Sequence, residues 1–414
     1  MSIAAYSPAP IALRPANRTS RIAAAIVAAV LVLAGSALAA TPAYAAAVSF
    51  TEDGMTFSAD DSDPAAGATV TSYDVTIASG GFDADIPSSV AFAGETYPVV
   101  AVGATSFRDV KITSVVIPNS VKVIGNSAFE ANFLASVVIP DSVTSIGDSA
   151  FNYNKLTTVT IGNSVETIGD DAFEDNDLET VVIPDSVTTM GEYAFSDNSL
   201  TSVTLGASLV DIKLYAFYEN EITTVTIPAS VTGIDRRAFA DNGSLADVVF
   251  LGAAPTAFFA AGSDGSLGRS PSIVVHYSSV FADPAAAAGF TTPTWQGYNA
   301  VPNPIVTFDL SGRGAAIAPT DVPFGTAMAA PAEPTASGYT FSGWYTDAAL
   351  TTLADFSTVI AADTTLFAGW TVAAAAADAE PMLAATGSSA PLLPIGVLAA
   401  LLLAAGIVLR RRMA

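Results

Sequence analysis

Residues 156–176 read LTTVTIGNSVETIGDDAFEDN, and this stretch decides the fold. Leu156, Val159 and Ile161 are set among threonines, with the period-two alternation of a strand that buries one face. Gly162 ends that strand, and a second short apolar stretch closes at Ile168 before Gly169. Ala172-Phe173 then predicts a short helical or 3₁₀ turn, and Asn176 closes the unit. The same order recurs in both directions. Ile112, Leu134, Leu156, Leu178, Leu200 and Ile222 open units 22 residues apart, with Leu245 following after one extra residue. Phe107, Phe129, Phe151, Phe173, Phe195, Phe217 and Phe239 keep the same step. A unit this short cannot bury its apolar face alone, so the units must stack around one continuous core. The expected fold is mainly β, a solenoid with short helical turns and coils about 4.8 Å apart. Asn132, Asn154, Asn176, Asn198, Asn220 and Asn242 fall where a buried amide can satisfy backbone groups that no sheet bond reaches. Lys213 and Asp235 replace the glycine of the other units, which predicts looser coils there.

This consensus resembles the leucine-rich repeats of the BspA type, over residues 99–250. The resemblance implies a leucine-rich-repeat solenoid on a bacterial or protist surface protein, with adhesion a common role and no defined enzymatic activity. Residues 46–98 resemble the extended β cap that opens such arrays, and 251–304, ending Thr294-Trp295-Gln296-Gly297-Tyr298, resemble the C-terminal cap. A cap is physically required, because the last coil would otherwise expose an edge and its core. Residues 305–371 contain Gly338-Tyr339-Thr340-Phe341-Ser342-Gly343-Trp344-Tyr345 and end Leu366-Phe367-Ala368-Gly369-Trp370. They resemble the Listeria–Bacteroides repeat, a small all-β, β-grasp-like module found as a spacer in bacterial surface proteins. Trp344 and Trp370 are expected in its core rather than stacked on sugars. The Ala-rich residues 372–382 read as a linker.

Both ends read as addresses. Arg14, Arg18 and Arg21 precede the apolar run Ile22–Ala34 and the site Ala43-Tyr44-Ala45, which describes a secretory signal peptide over 1–45. Residues 383–414 hold Leu383-Ala384-Ala385-Thr386-Gly387, an uncharged run over 391–409 and then Arg410, Arg411 and Arg412. At 1.5 Å per residue that run spans about 28 Å as a transmembrane helix. Its arginines would stay on the cytoplasmic side. The order resembles the cell-wall sorting signal of Gram-positive surface proteins, with Ala384 where Pro is usual, the form used with class E sortases. The resemblance implies that a sortase cuts between Thr386 and Gly387 and joins the Thr386 carboxyl to peptidoglycan, with a membrane-bound precursor. A simple C-terminal membrane anchor is the alternative.

Composition narrows the function. Fifteen Lys and Arg against 39 Asp and Glu leave a net charge of −24, which argues against nucleic acid and anionic membrane surfaces as partners. There is no cysteine, hence no disulfide and no thiolate chemistry. The single histidine, His276, lies in the expected cap strand Ile273-Val274-Val275-His276-Tyr277 and reads as structural. No nucleophile elbow, phosphate loop or zinc-protease motif is present, so no catalytic, cofactor or metal site is expected. The acidic run Asp170, Asp171, Glu174, Asp175 and Asp177 lacks the glycine framework of calcium loops and reads as solvated. Positions two and four of each first strand read Ser114/Val116, Ser136/Val138, Thr158/Thr160, Thr180/Val182, Ser202/Thr204 and Thr224/Thr226, with no charge among them. Solubility alone does not ask for such rows on an acidic chain, although Thr and Val suit any strand. Thr158, Thr160, Thr180, Ser202, Thr204, Thr224 and Thr226 are therefore the candidate binding face. The sequence reads as a non-enzymatic, wall-anchored surface protein whose solenoid takes an unidentified protein or glycan ligand. A structural envelope stalk is the alternative, and a secreted hydrolase a more distant one.

Overall fold

The computed structural model describes residues 47–373, apart from 77, 79–81, 271 and 283–288. The leader 1–45, the motif Leu383–Gly387 and the apolar run 391–409 lie outside the described residues. Among the described residues, no helix is long and apolar enough to cross a membrane. The chain divides into two compact units, one ending at Val165 and one beginning at Glu166.

The first unit opens with the antiparallel hairpin Ala47–Glu52 and Met55–Asp60. Asp53 and Gly54 turn it, both at positive φ, the tight two-residue turn whose twist matches its strands. Ala68–Tyr73 then pairs in parallel with Glu95–Val102, and that strand pairs in parallel with Val123–Ile124 of the first full coil. From there each coil repeats one circuit. A three-residue strand (Ser114–Val116, Ser136–Val138, Thr158–Thr160) forms a first rank. A tight turn follows, with Val121 N–H donating to Pro118 C=O and Val143 N–H to Pro140 C=O. A two-residue strand (Val123–Ile124, Ser145–Ile146) forms a second rank.

The Ala-Phe stretch, expected as a short helical turn, is instead a chain of turns that alternates in backbone sign. Ser127 and Ala131 sit at φ 54° and 60°. This alternation sends every second N–H toward the following coil: Ser127 to Asp148 C=O, Phe129 to Ala150 C=O and Ala131 to Asn152 C=O, at 2.7–2.9 Å. Each left-handed residue costs roughly 1 kcal/mol, which this third ladder offsets. A 3₁₀ turn would have spent those donors inside the coil. Phe107, Phe129 and Phe151 stack inside the coils at 5.0 and 5.1 Å.

The second unit repeats the circuit. Its first rank holds Thr180–Val182 paired with Ser202–Thr204, followed by a separate parallel series of Thr224–Ile227, Asp247–Phe250, Val274–Tyr277 and Tyr298–Pro302. Phe173, Phe195, Phe217 and Phe239 stack at 5.1–5.7 Å. Asp235 does not loosen the stack: its N–H reaches Ile212 C=O at 2.8 Å, close to the 2.9 Å of Gly191 N–H to Ile168 C=O. At Lys213 the second rank is interrupted, as expected, because Thr189–Met190 and Asp211–Ile212 fall in separate sheets. At Gly191 a Cβ would meet the Asp170 N at 2.4 Å, so the glycine there answers a close approach of two backbones. The cap ends in Thr294–Trp295 folded back on Tyr298–Pro302. Residues 305–372 then form a four-stranded sheet in the order Thr320–Asp321, Ile305–Asp309, Thr364–Val372, Tyr339–Tyr345. Val306, Leu310, Val322, Trp344, Leu366 and Ala368 make its core.

Candidate binding face

In both units the first rank has one face inside and one outside. Val137, Val181 and Val225 point inward and are buried, while their neighbours on either side are exposed. Thr158 and Thr160 of the first unit are exposed, as are Thr180, Ser202, Thr204, Thr224 and Thr226 of the second. Pairing is residue on like residue: Thr158 beside Ser136 and Thr160 beside Val138, then Thr180 beside Ser202 and Val182 beside Thr204. Each unit therefore presents one hydroxyl row and one β-branched row. Val116, Val138 and Val182 are 58–64% exposed, an apolar presence on a solvent face that the strand's interior does not need.

The rigidity of this face comes from below. Asn154 accepts from Leu134 N–H through Oδ1 at 3.2 Å and donates through Nδ2 to the carbonyls of Phe129 and Phe151 at 2.9 and 3.1 Å. Asn132 repeats the pattern on Ile112, Phe107 and Phe129. Asn220 repeats it on Leu200 and Phe195, and Asn242 on Ile222, Phe217 and Phe239. Each amide thus locks the residue that leads into a first-rank strand onto the turn of the coil before it.

Acids border the rows at Asp83, in register with Ser114, and at Asp247, in register with Thr224, and others lie on turns. Asp141 accepts from Asn163 N–H and Asp185 from Ala207 N–H, both at 2.7 Å, and Asp170 accepts from Glu192 N–H at 2.8 Å. Burial, then Asp170 and Asp235, push the Glu192 carboxyl above the usual carboxylate range. At Glu219 a hydrogen bond from Tyr218 pulls downward, but burial and Asp197 outweigh it and the carboxyl is raised. Among the described residues, no three histidine, aspartate or glutamate side chains are grouped to hold a metal ion.

His276 has a place that the sequence did not reveal. The residue is 5% exposed, and its ring donates from Nε2 to the Asp247 carboxylate at 2.8 Å and lies flat on Phe324 at 3.6 Å and 6°. Asp321 accepts from Ser279 N–H and from Asn303 Nδ2, both at 3.0 Å, and Asn303 N–H donates to Tyr277 C=O at 2.7 Å. His276 occupies the outward row of its strand, in register with the buried Val249. The Phe324 ring thus covers the first rank at His276, whereas Val301, next in that row, is 46% exposed. Phe324 sits in the plain loop Val322-Pro323-Phe324-Gly325, which carries no sequence signal. Trp344 is buried, and Trp370 donates to Leu310 C=O at 3.1 Å, so both serve the module's own packing.

Residues 100–211 and 166–256 match the BspA type leucine rich repeat region, in six copies. Residues 305–369 match the Listeria-Bacteroides repeat domain. Among solved structures, a leucine-rich repeat protein from Bacteroides ovatus is 20% identical, with a TM-score of 0.41 over 61% of this chain and 78% of that one. A leucine rich cell surface protein from Faecalibacterium prausnitzii is 22% identical, with a TM-score of 0.29 over 57% and 74%. The leucine rich repeat protein of T. pallidum is 22% identical, with a TM-score of 0.33 over 56% and 87%. No curated protein matches the chain. The repeats that match the BspA type model are the coils whose outward rows form the candidate face.

Proposed function

We propose that this chain is a non-enzymatic surface protein whose leucine-rich repeats bind a protein or glycan partner through the outward rows of the first rank. One observation carries the reading: on a chain of net charge −24, the rows formed by the seven serine and threonine residues and their valine neighbours hold no charge. Charged turns keep the protein soluble, and an uncharged flat face loses little hydration when a partner covers it. The BspA type match and the cell-surface relative support display outside the cell.

In the same reading the chain is exported through residues 1–45 and joined to peptidoglycan at Thr386 by a sortase, of class E by the form of the motif. A chain ending at 382 then appears in the culture medium, whereas the full chain stays in the wall fraction and is removed from intact cells by trypsin. Cells that release the shortened chain lose adhesion to matrix proteins and to other cells. Retention of the shortened chain in the wall would contradict anchoring through 383–387. Unchanged adhesion together with an altered envelope would favour the stalk.

A further inference from the structure

We infer that residues 305–372 are a force-bearing clamp, placed between the repeats and the tether, and not a passive spacer. The module's first strand, Ile305–Asp309, and its last, Thr364–Val372, lie side by side at the centre of the sheet and run parallel. Four pairs join them: Val306 with Thr364, Thr307 with Thr365, Phe308 with Leu366 and Asp309 with Phe367. The chain enters at the start of the first strand and leaves at the end of the last. A load applied through the neighbouring chain therefore pulls the two strands in opposite senses along their length. All four pairs carry that load together, in shear. An antiparallel terminal pair would open one pair at a time.

Further contacts act across the same seam. Ile305 N–H donates to Asp363 at 2.9 Å, the Thr307 and Thr365 hydroxyls meet at 2.9 Å, and Trp370 Nε1 donates to Leu310 C=O at 3.1 Å. Leu366 and Ala368 are buried, so one face of the last strand is packed against the module's core. The His276–Phe324 stack and the two hydrogen bonds on Asp321 hold the module to the last coils, which gives the load a second route beside the backbone. The coils of the second unit offer the opposite geometry. Their hydrogen bonds run from coil to coil, along the direction in which the stack would be drawn out, so coils come away singly.

The physiological use of the clamp rests on the anchoring reading above, but its mechanics do not. The chain has no cysteine, so paired cysteine handles can be placed without interference. In the otherwise full chain, Ile305→Cys with Val372→Cys loads the seam in shear. Ile305→Cys with Ala362→Cys pulls on the same end of both strands and unzips it. Single-molecule pulling is expected to need a several-fold higher force in the first geometry. Rupture there should release roughly 200 Å of chain, at about 3.4 Å per residue. Equal forces in the two geometries would overturn the inference, whatever the wall fractionation shows.

Discussion

Asn154→Ala is expected to lower the unfolding free energy by about 3 kcal/mol, because it orphans the buried Leu134 N–H and takes a donor from several buried carbonyls at once. Asn154 is 1% exposed and bonds Leu134 N–H, Phe129 C=O and Phe151 C=O. The Leu134 N–H is left with no acceptor and no water, and Phe151 C=O loses a donor. Phe129 C=O keeps Asn132 at 2.9 Å, which limits the loss. The exposed Asn163→Ala serves as the control and should cost under about 0.5 kcal/mol. Urea unfolding of the two variants against the parent checks the difference. A cost for Asn154→Ala no larger than for Asn163→Ala would remove the ladder from the account of the coil.

Phe195→Ala is expected to cost about 3–5 kcal/mol, the range for an aromatic deleted from a closed core. Its ring is fully buried between Phe173 at 5.1 Å and Phe217 at 5.7 Å. The coil spacing is set by backbone hydrogen bonds, so neighbouring rings cannot close the gap without breaking Phe195 N–H to Ala216 C=O. Phe195→Leu retains most of the volume and should cost less than half as much. Amide exchange would report the loss locally, in the coils on either side, since each coil touches only its neighbours. A uniform change throughout the second unit would argue against that nearest-neighbour picture.

Much of the coil was legible in the residues. The 22-residue recurrence of Leu, Phe and Asn placed the core and the amide ladder, and the alternation in each first strand placed the seven serine and threonine residues outward. Three features were not legible, each for a physical reason. The Ala-Phe turn reads as helical because local propensity favours it, yet residues such as Ser127 and Tyr193 adopt left-handed backbone to reach the next coil. Asp235 reads as a misfit, but its coil-to-coil bond to Ile212 C=O is made by the main chain. His276 reads as an ordinary cap residue. Its stacking partner Phe324 is more than 40 positions away in a different module, and no repeat pattern links the two.

The most direct test of the binding face is the double variant Thr158→Lys with Thr204→Lys. It adds a charge to the hydroxyl row of the first unit and to the β-branched row of the second, both at exposed positions, where substitution should cost within about 0.5 kcal/mol. Adhesion of cells displaying the full chain is measured beside the variant's far-ultraviolet circular dichroism and thermal midpoint. The variant is expected to fold like the parent and to lose adhesion by roughly tenfold or more, the effect of about 1.4 kcal/mol at a buried contact. A variant that folds like the parent and adheres like the parent would contradict it.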